Sequence, residues 1–157
     1  MKVLGYKAFN QDFTNRYGKH FEVGENYRIK GPISWGKYGN GFHFCTNLED
    51  CFRYYNPDTS IIAEVKGFGK LVKNDDEYYG YYDMYVSEYL EVIRVIPREE
   101  IIKMMLETSI DRQNRFIRNY NLTEEEKELF YIEDGGMNNE RNNYQRCKRK
   151  QLKEHRY

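Results

Sequence analysis

The residues best suited to chemistry lie between residues 39 and 55, where the chain carries His43, Cys45 and Cys51. His43 and Cys45 are two positions apart, so on a strand they project from the same face. A thiol and an imidazole make a catalytic dyad only when a third group orients the imidazole, and this pair lacks one. We therefore interpret Cys45 as a small core residue. Two interpretations stay open for His43: a strand histidine bonded to a neighbour, or a ligand contact where a strand meets a helix.

Known catalytic and metal-binding motifs are missing from the sequence. It contains no Walker loop, no G-x-G-x-x-G, no H-E-x-x-H and no nucleophile elbow, and its three histidines are too scattered to predict a metal site. The three cysteines are odd in number and show no C-x-x-C spacing, which indicates free thiols in a reducing compartment. No stretch is long and apolar enough to cross a bilayer, and the N-terminus does not resemble a signal peptide. We expect a cytoplasmic protein without membrane association.

The residues around His43 predict a turn, a strand, a cap and a helix in that order. Residues 39–41 read Gly-Asn-Gly, and both residue types accept positive φ at little cost. Phe42 and Phe44 then share one strand face, which predicts a central, buried strand. Asn47 is expected to cap a helix over residues 48–55, whose apolar residues recur at helical spacing. This unit would place His43 just before a strand-to-helix corner.

Composition predicts a domain whose core is built from aromatic rings. The chain has 157 residues, enough for one domain plus an appendage, and its 16 tyrosines and nine phenylalanines give an aromatic fraction of 17%. The formal net charge is zero, which argues against a uniformly basic nucleic-acid surface.

The order of predicted elements indicates an α+β fold with a small mixed or antiparallel sheet. Strands are expected over residues 3–9, 60–67 and 89–96, with a bent hairpin over residues 21–29 and turns at Gly67 and Gly69. After Pro97 the pattern becomes helical, with an interruption near Ser109. Thr123 opens a second helix through a capping box, and the glycines at 135 and 136 end it. We therefore predict an α+β domain over residues 1–97 and a helical appendage over residues 98–157.

The end of the chain is basic. Residues 141–157 carry seven basic groups and one acidic group. We interpret the segment from Arg141 to Arg156 as a solvated tail. The alternative is a basic arm that binds nucleic acid or an acidic protein surface.

The order of the strands and turns resembles the small ADP-ribosyltransferases that modify rifamycins. Their short first strand carries a Tyr-His-Gly motif, a later strand supplies an aromatic residue before a corner, and an acidic residue follows the next strand. Here Lys7 stands in the place of the histidine, and His43 stands in the place of the aromatic residue. Asp75 or Asp76 takes the acidic place. The resemblance implies a split β-sandwich and NAD as the cofactor.

The roles implied by this resemblance are chemically coherent. Cleavage of the nicotinamide–ribose bond builds positive charge on the ribose, which Asp75 or Asp76 would stabilise as the catalytic carboxylate. Lys7 would hold a diphosphate oxygen, and His43 would bond a ribose hydroxyl or stack on a ring. The alternative is that Lys7 is solvated and both aspartates are turn residues.

A second resemblance is to an uncharacterised domain of phage and prophage proteins. It rests on Lys-Ala-Phe at residues 7–9, Gly-x-x-Tyr at residues 24–27 and Gly-Phe-His-Phe-Cys at residues 41–45. It implies a phage accessory protein that acts in the host cytoplasm by binding a host protein, with a role against host defence. Whether the chain is instead an enzyme that uses NAD, or binds nucleic acid through its basic end, stays open.

Overall fold

The fold is α+β, as the sequence predicts. The computed structural model describes residues 1–36, 39–53, 55–74 and 84–130, and the chain divides into two compact units, Met1–Pro97 and Arg98–Tyr157. Strands and one short 3-10 helix make up the first unit where it is described, and helices make up the second. The strands are β1 (Lys2–Asn10), β2 (Asn26–Arg28), β3 (Phe42–Cys45), β4 (Ser60–Lys73) and β5 (Met84–Val95), with the 3-10 helix at Leu48–Arg53.

The strands form one sheet whose described pairings are all antiparallel. β4 pairs with β1 along one side and with β5 along the other. β3 pairs with β5 and also meets β1 at the single register Tyr6↔Cys45. These pairings close β1, β3, β5 and β4 into a ring, and β2 extends the sheet by pairing with β5 beyond β3. The mixed alternative in the sequence prediction is therefore not what the described strands adopt.

The core inside this ring combines phenylalanine rings with smaller aliphatic residues. Phe21 is fully buried, and its ring centroid lies 4.9 Å from Phe9 and 6.2 Å from Phe42. Offset and edge-on ring contacts of this kind add to the stabilisation from area burial. The buried cluster comprises Phe9, Phe21, Phe42, Phe44, Ala63, Val65, Leu90 and Val92. The expectation that Phe42 and Phe44 share a buried face is confirmed.

Phe44 occupies a slot that two glycines leave open. A Cβ atom at Gly67 would lie 2.4 Å from Cε1 of the Phe44 ring, and one at Gly5 would lie 2.6 Å from Cδ2. Both glycines belong to strands on which side chains project alternately to each face. The ring therefore fits only because neither strand carries a side chain at these positions.

Three local predictions in the first unit were wrong. The hairpin expected over residues 21–29 reduces to Asn26–Arg28, whose partner is the distant strand β5. β4 does not stop at Gly67: it continues to Lys73, and Gly69 has φ +78° where the β4–β5 register shifts between Phe68 and Leu71. A glycine with positive φ suits a bulge of this kind. The predicted helix after Asn47 is the six-residue 3-10 helix Leu48–Arg53.

The second unit contains α1 (Arg98–Leu106), α2 (Ile110–Asn119) and α3 (Glu124–Lys127) in its described part. Ser109 separates the first two helices, and its side chain accepts the N–H of Arg112 as the N-cap of α2. Thr123 and Glu126 form the predicted capping box at the start of α3. The prediction that this helix continues to the glycines at 135 and 136 was wrong, because α3 ends at Lys127. The two glycines themselves lie outside the described residues.

One arginine links the start of α1 to α3. The Arg98 guanidinium donates to both carboxylate oxygens of Glu126, at 2.8 and 3.0 Å, and to the Asn121 carbonyl at 2.6 Å. It also lies 4.7 Å from the centroid of the Tyr120 ring. No helix in the described residues is long and apolar enough to span a membrane.

Candidate functional site

Lys7 projects from β1 on the side that faces the core. Val3, Gly5 and Phe9 are at alternate positions of the same strand, and all three are part of the core or pack against it. The Lys7 Nζ atom donates a 2.5 Å hydrogen bond to the backbone carbonyl of His43. Burial of the ammonium lowers the pKa of Lys7 from 10.5 to about 8. The alternative of a solvated Lys7 does not describe this environment.

The Lys7 bond lies where the pairing of β1 with β3 ends. Tyr6 and Cys45 are the one registered pair between these strands. Two residues before Cys45, the carbonyl of His43 receives a side-chain donor from Lys7 instead of a backbone N–H from β1. The bond is part-buried and its donor is charged, and a hydrogen bond to a charged group contributes about 1.5–3 kcal/mol. Lys7 therefore completes the junction between the two strands.

The His43 ring is held by backbone groups on both of its nitrogens. Nε2 accepts the N–H of Gly36 at 3.3 Å, so the proton of the neutral ring lies on Nδ1, which faces the carbonyl of Gly41 at 3.3 Å. The ring centroid of Trp35 lies 5.2 Å away. Burial, with help from the Lys7 charge, lowers the pKa of His43 to about 4. The imidazole is therefore neutral at physiological pH.

The two cysteines of this region contact each other. Cys45 and Cys51 are free and buried, and their thiols share a hydrogen bond. That bond, together with burial, raises the pKa of Cys51 well above its usual range. A thiol with a raised pKa is a poor nucleophile. The arrangement agrees with Cys45 as a core residue and does not supply an activated thiolate at Cys51.

Arg16 is a member of this site that sequence reasoning missed. After burial, the charge of Arg16 is a further cause of the lowered pKa values of Lys7 and His43, so it acts on both groups electrostatically. The guanidinium donates to the Tyr17 hydroxyl at 2.9 Å. Arg16 lies in a polar loop without periodicity, and no pattern in the sequence ties it to β1 or β3. In the cluster of Lys7, Arg16 and His43 the imidazole is neutral, so the positive charge that favours an anionic ligand comes from Lys7 and Arg16.

The structure brings together two of the four predicted site residues. Lys7 and His43 are in direct contact through the Lys7 Nζ bond. Asp75 and Asp76 lie outside the described residues, so their predicted catalytic role stays a prediction. The basic segment from Arg141 to Arg156 also lies outside the described part of the chain.

Comparison with protein families gives one match. The model described as "Domain of unknown function (DUF7666)" matches residues 3–104, which is about two thirds of the chain. The matched region includes all of the sheet except Lys2, the first residue of β1, and contains both Lys7 and His43. Comparisons with curated proteins and with solved structures found no match.

Proposed function

The chain belongs to the DUF7666 family of domains of unknown function, and we propose that it acts by binding a macromolecule rather than by transferring ADP-ribose. The observation that supports this proposal is the engagement of Lys7 and His43 with the protein's own backbone. Lys7 Nζ donates to the His43 carbonyl, and both ring nitrogens of His43 face backbone groups. The imidazole would have to give up one of these contacts before it could bond a ribose hydroxyl, and the Lys7 ammonium lies on the core-facing side of β1.

A host protein is the proposed class of partner. Support for this class comes from the resemblance of residues 7–9, 24–27 and 41–45 to a domain of phage and prophage proteins. On this proposal the chain is made in the host cytoplasm, and its binding acts against host defence. The sheet would serve as a rigid scaffold for the binding surface, a common use of a fold whose catalytic site is not in use.

The second candidate is an NAD-dependent ADP-ribosyltransferase. The observation that favours it is the cluster of Lys7, Arg16 and His43, in which, after burial, the charges of Lys7 and Arg16 help to lower the pKa of the imidazole. A diphosphate bound there would be attracted by the cluster and would raise the lowered pKa values of Lys7 and His43. Asp75 or Asp76 would then stabilise the positive charge that develops on the ribose.

NAD binding separates the two candidates. A ligand that binds only the folded state raises the melting temperature by mass action. The binding proposal expects no rise with millimolar NAD and no transfer of label from NAD to protein or nucleic-acid acceptors. A rise that His43→Ala reduces and Lys2→Met leaves unchanged would favour the enzyme, because Lys2 is an exposed lysine on the same strand. Loss of labelling in the joint Asp75→Asn, Asp76→Asn variant would then assign the catalytic carboxylates.

A direct test of binding completes the comparison. A host protein captured by the tagged chain would be purified, and its dissociation constant would be measured against the full chain. The binding proposal expects a saturable one-to-one complex that forms equally with and without NAD. A chain that forms no saturable complex but labels an acceptor from NAD would overturn the proposal.

A further inference from the structure

The ammonium of Lys19 lies over three aromatic rings. Its Nζ atom is 5.2 Å from the ring centroid of Tyr27, 5.2 Å from that of Phe42 and 5.6 Å from that of Phe21. A cation within about 6 Å of a ring centroid is attracted by the ring quadrupole. Lys19 itself is exposed, so its ammonium closes the cluster on the solvent side.

The three rings are held in place by separate parts of the first unit. Phe42 belongs to β3, and Tyr27 belongs to β2, where it pairs with Leu90. The Tyr27 hydroxyl accepts the backbone N–H of Glu22 at 2.7 Å, which fixes the ring. The Phe21 and Tyr27 ring centroids are 4.7 Å apart. Strands therefore position Tyr27 and Phe42, and Phe21 contacts both rings from the loop before β2. In the free protein, with Lys19 over them, Phe21 and Phe42 are 0% and 4% exposed.

Lys19 is held by its backbone in a short turn. Its N–H donates to the Asn15 side-chain oxygen at 3.0 Å, and its carbonyl accepts the Asn15 N–H at 3.0 Å. Gly18, with φ +81°, allows the turn that precedes it. The side chain leaves this fixed backbone and ends above the rings. Its cation is thus presented to the rings by the loop, while the long stem is free to change rotamer.

We propose that Phe21, Tyr27 and Phe42 form a binding seat for an alkylammonium group of a ligand, which Lys19 occupies in the free protein. Clusters of aromatic rings recognise quaternary ammonium groups, because these cations are weakly hydrated and interact with several ring faces at once. Lys19 carries the same charge on a smaller and more strongly hydrated head. A trimethylammonium group therefore competes with it for the seat. This site does not rest on the proposed function, because Lys7, Arg16 and His43 take no part in it.

Lys19→Ala opens the seat without disturbing the rings. Choline and its neutral carbon isostere, 3,3-dimethyl-1-butanol, have the same shape and differ in charge, so their comparison isolates the cation–π contribution. Binding would be measured by titration of aromatic ring resonances in the full chain. Lys19→Ala is expected to bind choline about two- to fivefold more tightly than the wild-type protein, the factor expected on removing one exposed cation–π competitor. The neutral isostere is expected to bind more weakly than choline.

Three further variants test which groups make the seat. Lys2→Ala removes an exposed lysine from the same unit and is expected to leave the choline affinity at the wild-type value. In the Lys19→Ala background, Tyr27→Phe keeps a ring and is expected to retain binding, whereas Tyr27→Leu is expected to lose it. Nε-trimethyl-lysine carries the choline head on a protein-like stem, so tighter binding of this compound would indicate a modified lysine as the natural ligand. Tighter binding of choline would indicate a small molecule.

Two results would overturn the inference. One is a folded Lys19→Ala variant that binds neither choline nor trimethyl-lysine. The other is equal binding of choline and its neutral isostere, because a seat defined by cation–π attraction must prefer the charged compound. Circular dichroism of each variant establishes that it is folded before the titration is interpreted.

Discussion

Replacing Phe44 by alanine is expected to remove a large part of the stability of the first unit. The side chain is 1% exposed, and its ring stacks on Tyr85 with centroids 5.9 Å apart. Truncation of a buried phenylalanine typically costs about 3–5 kcal/mol through lost burial and the cavity that remains. Phe44 is enclosed on two sides by glycine backbone, so the site has few side chains that could relax into the cavity. The upper half of that range is therefore expected.

Alanine at Gly67 gives the sharper form of this prediction. The new Cβ would lie 2.4 Å from Cε1 of Phe44 and 3.0 Å from the Ser87 hydroxyl oxygen. Overpacking of this kind costs about 1–3 kcal/mol when the large ring is present. In the Phe44→Ala background the nearest obstacle is gone, and the added methyl group fills part of the cavity. The cost of Gly67→Ala is therefore expected to fall to near zero, giving a coupling energy of about 1–3 kcal/mol.

Gly5 provides a matched control. A Cβ there would lie 2.6 Å from the Phe44 ring but also 2.5 Å from the backbone carbonyl oxygen of Cys45. Truncation of Phe44 removes the first obstacle and leaves the second. Gly5→Ala is therefore expected to stay strongly destabilising in the Phe44→Ala background, while Gly67→Ala is rescued.

Urea denaturation of the wild-type protein, the three single variants and the two double variants measures these effects. The free energy of unfolding is compared among variants with equal m-values, because an altered m-value would mean that the unfolding transition itself has changed. If the changes in the free energy of unfolding caused by Phe44→Ala and Gly67→Ala add within about 0.5 kcal/mol, the argument that the Phe44 ring requires a glycine at position 67 is refuted. Rescue of Gly5→Ala to the same extent as Gly67→Ala would refute the assignment of the backbone obstacle.

Three other predictions concern charge. The pKa of His43 is about 4 in the folded state against 6.5 ordinarily, so the unfolded state binds more protons between these values and stability falls on acidification through that range. His43→Gln is expected to remove roughly 1–3 kcal/mol of this pH dependence, seen in urea midpoints at pH 4.5 and 7. Hydrogen bonds from Arg98 lower the pKa of Glu126, so its stabilisation is present above pH 4.5 and is lost as pH falls through the lowered value. Glu126→Gln is expected to lower the free energy of unfolding by about 1–2 kcal/mol at pH 7 and to leave it unchanged at acid pH. Thermal midpoints at the two pH values measure this effect, and the exposed control Glu124→Gln is expected to change neither midpoint. If residues 141–157 bind nucleic acid, the affinity falls steeply with added salt and deletion of the segment abolishes it, and salt-independent binding would contradict that role.

Features set by neighbouring residues could be predicted from the sequence. The strand that carries Phe42 and Phe44, the Ser109 break and the Thr123 capping box each depend on a few adjacent side chains. Their signals are alternation and side-chain capping, which act over four or five residues. The α+β class followed from the order of such local signals.

Features set by distant partners could not be predicted in this way. Asn26–Arg28 looked like half of a hairpin, but its partner is β5, more than sixty residues further along the chain. Gly67 looked like a turn because glycine favours turns locally, whereas the reason for a glycine there is the Phe44 ring of another strand. In both cases the local signal was misleading, because a partner distant in the sequence determines the strand pairing. The position of Arg16 near Lys7 is of the same kind, because a loop carries no period that would place it.

Lys7 contributes to the fold and was also predicted to bind the cofactor. Alternation along β1 with Val3, Gly5 and Phe9 was a usable signal that its side chain faces inward. The resemblance to a transferase instead assigned it to a diphosphate. In the structure its Nζ completes the junction of β1 and β3 by bonding the His43 carbonyl. The ammonium has three donors, so a diphosphate would share the amine with the His43 carbonyl, but it would have to reach a group on the core-facing side of β1. A protein partner that binds the outside of the sheet needs no access to that side, which is the physical reason for placing binding ahead of catalysis.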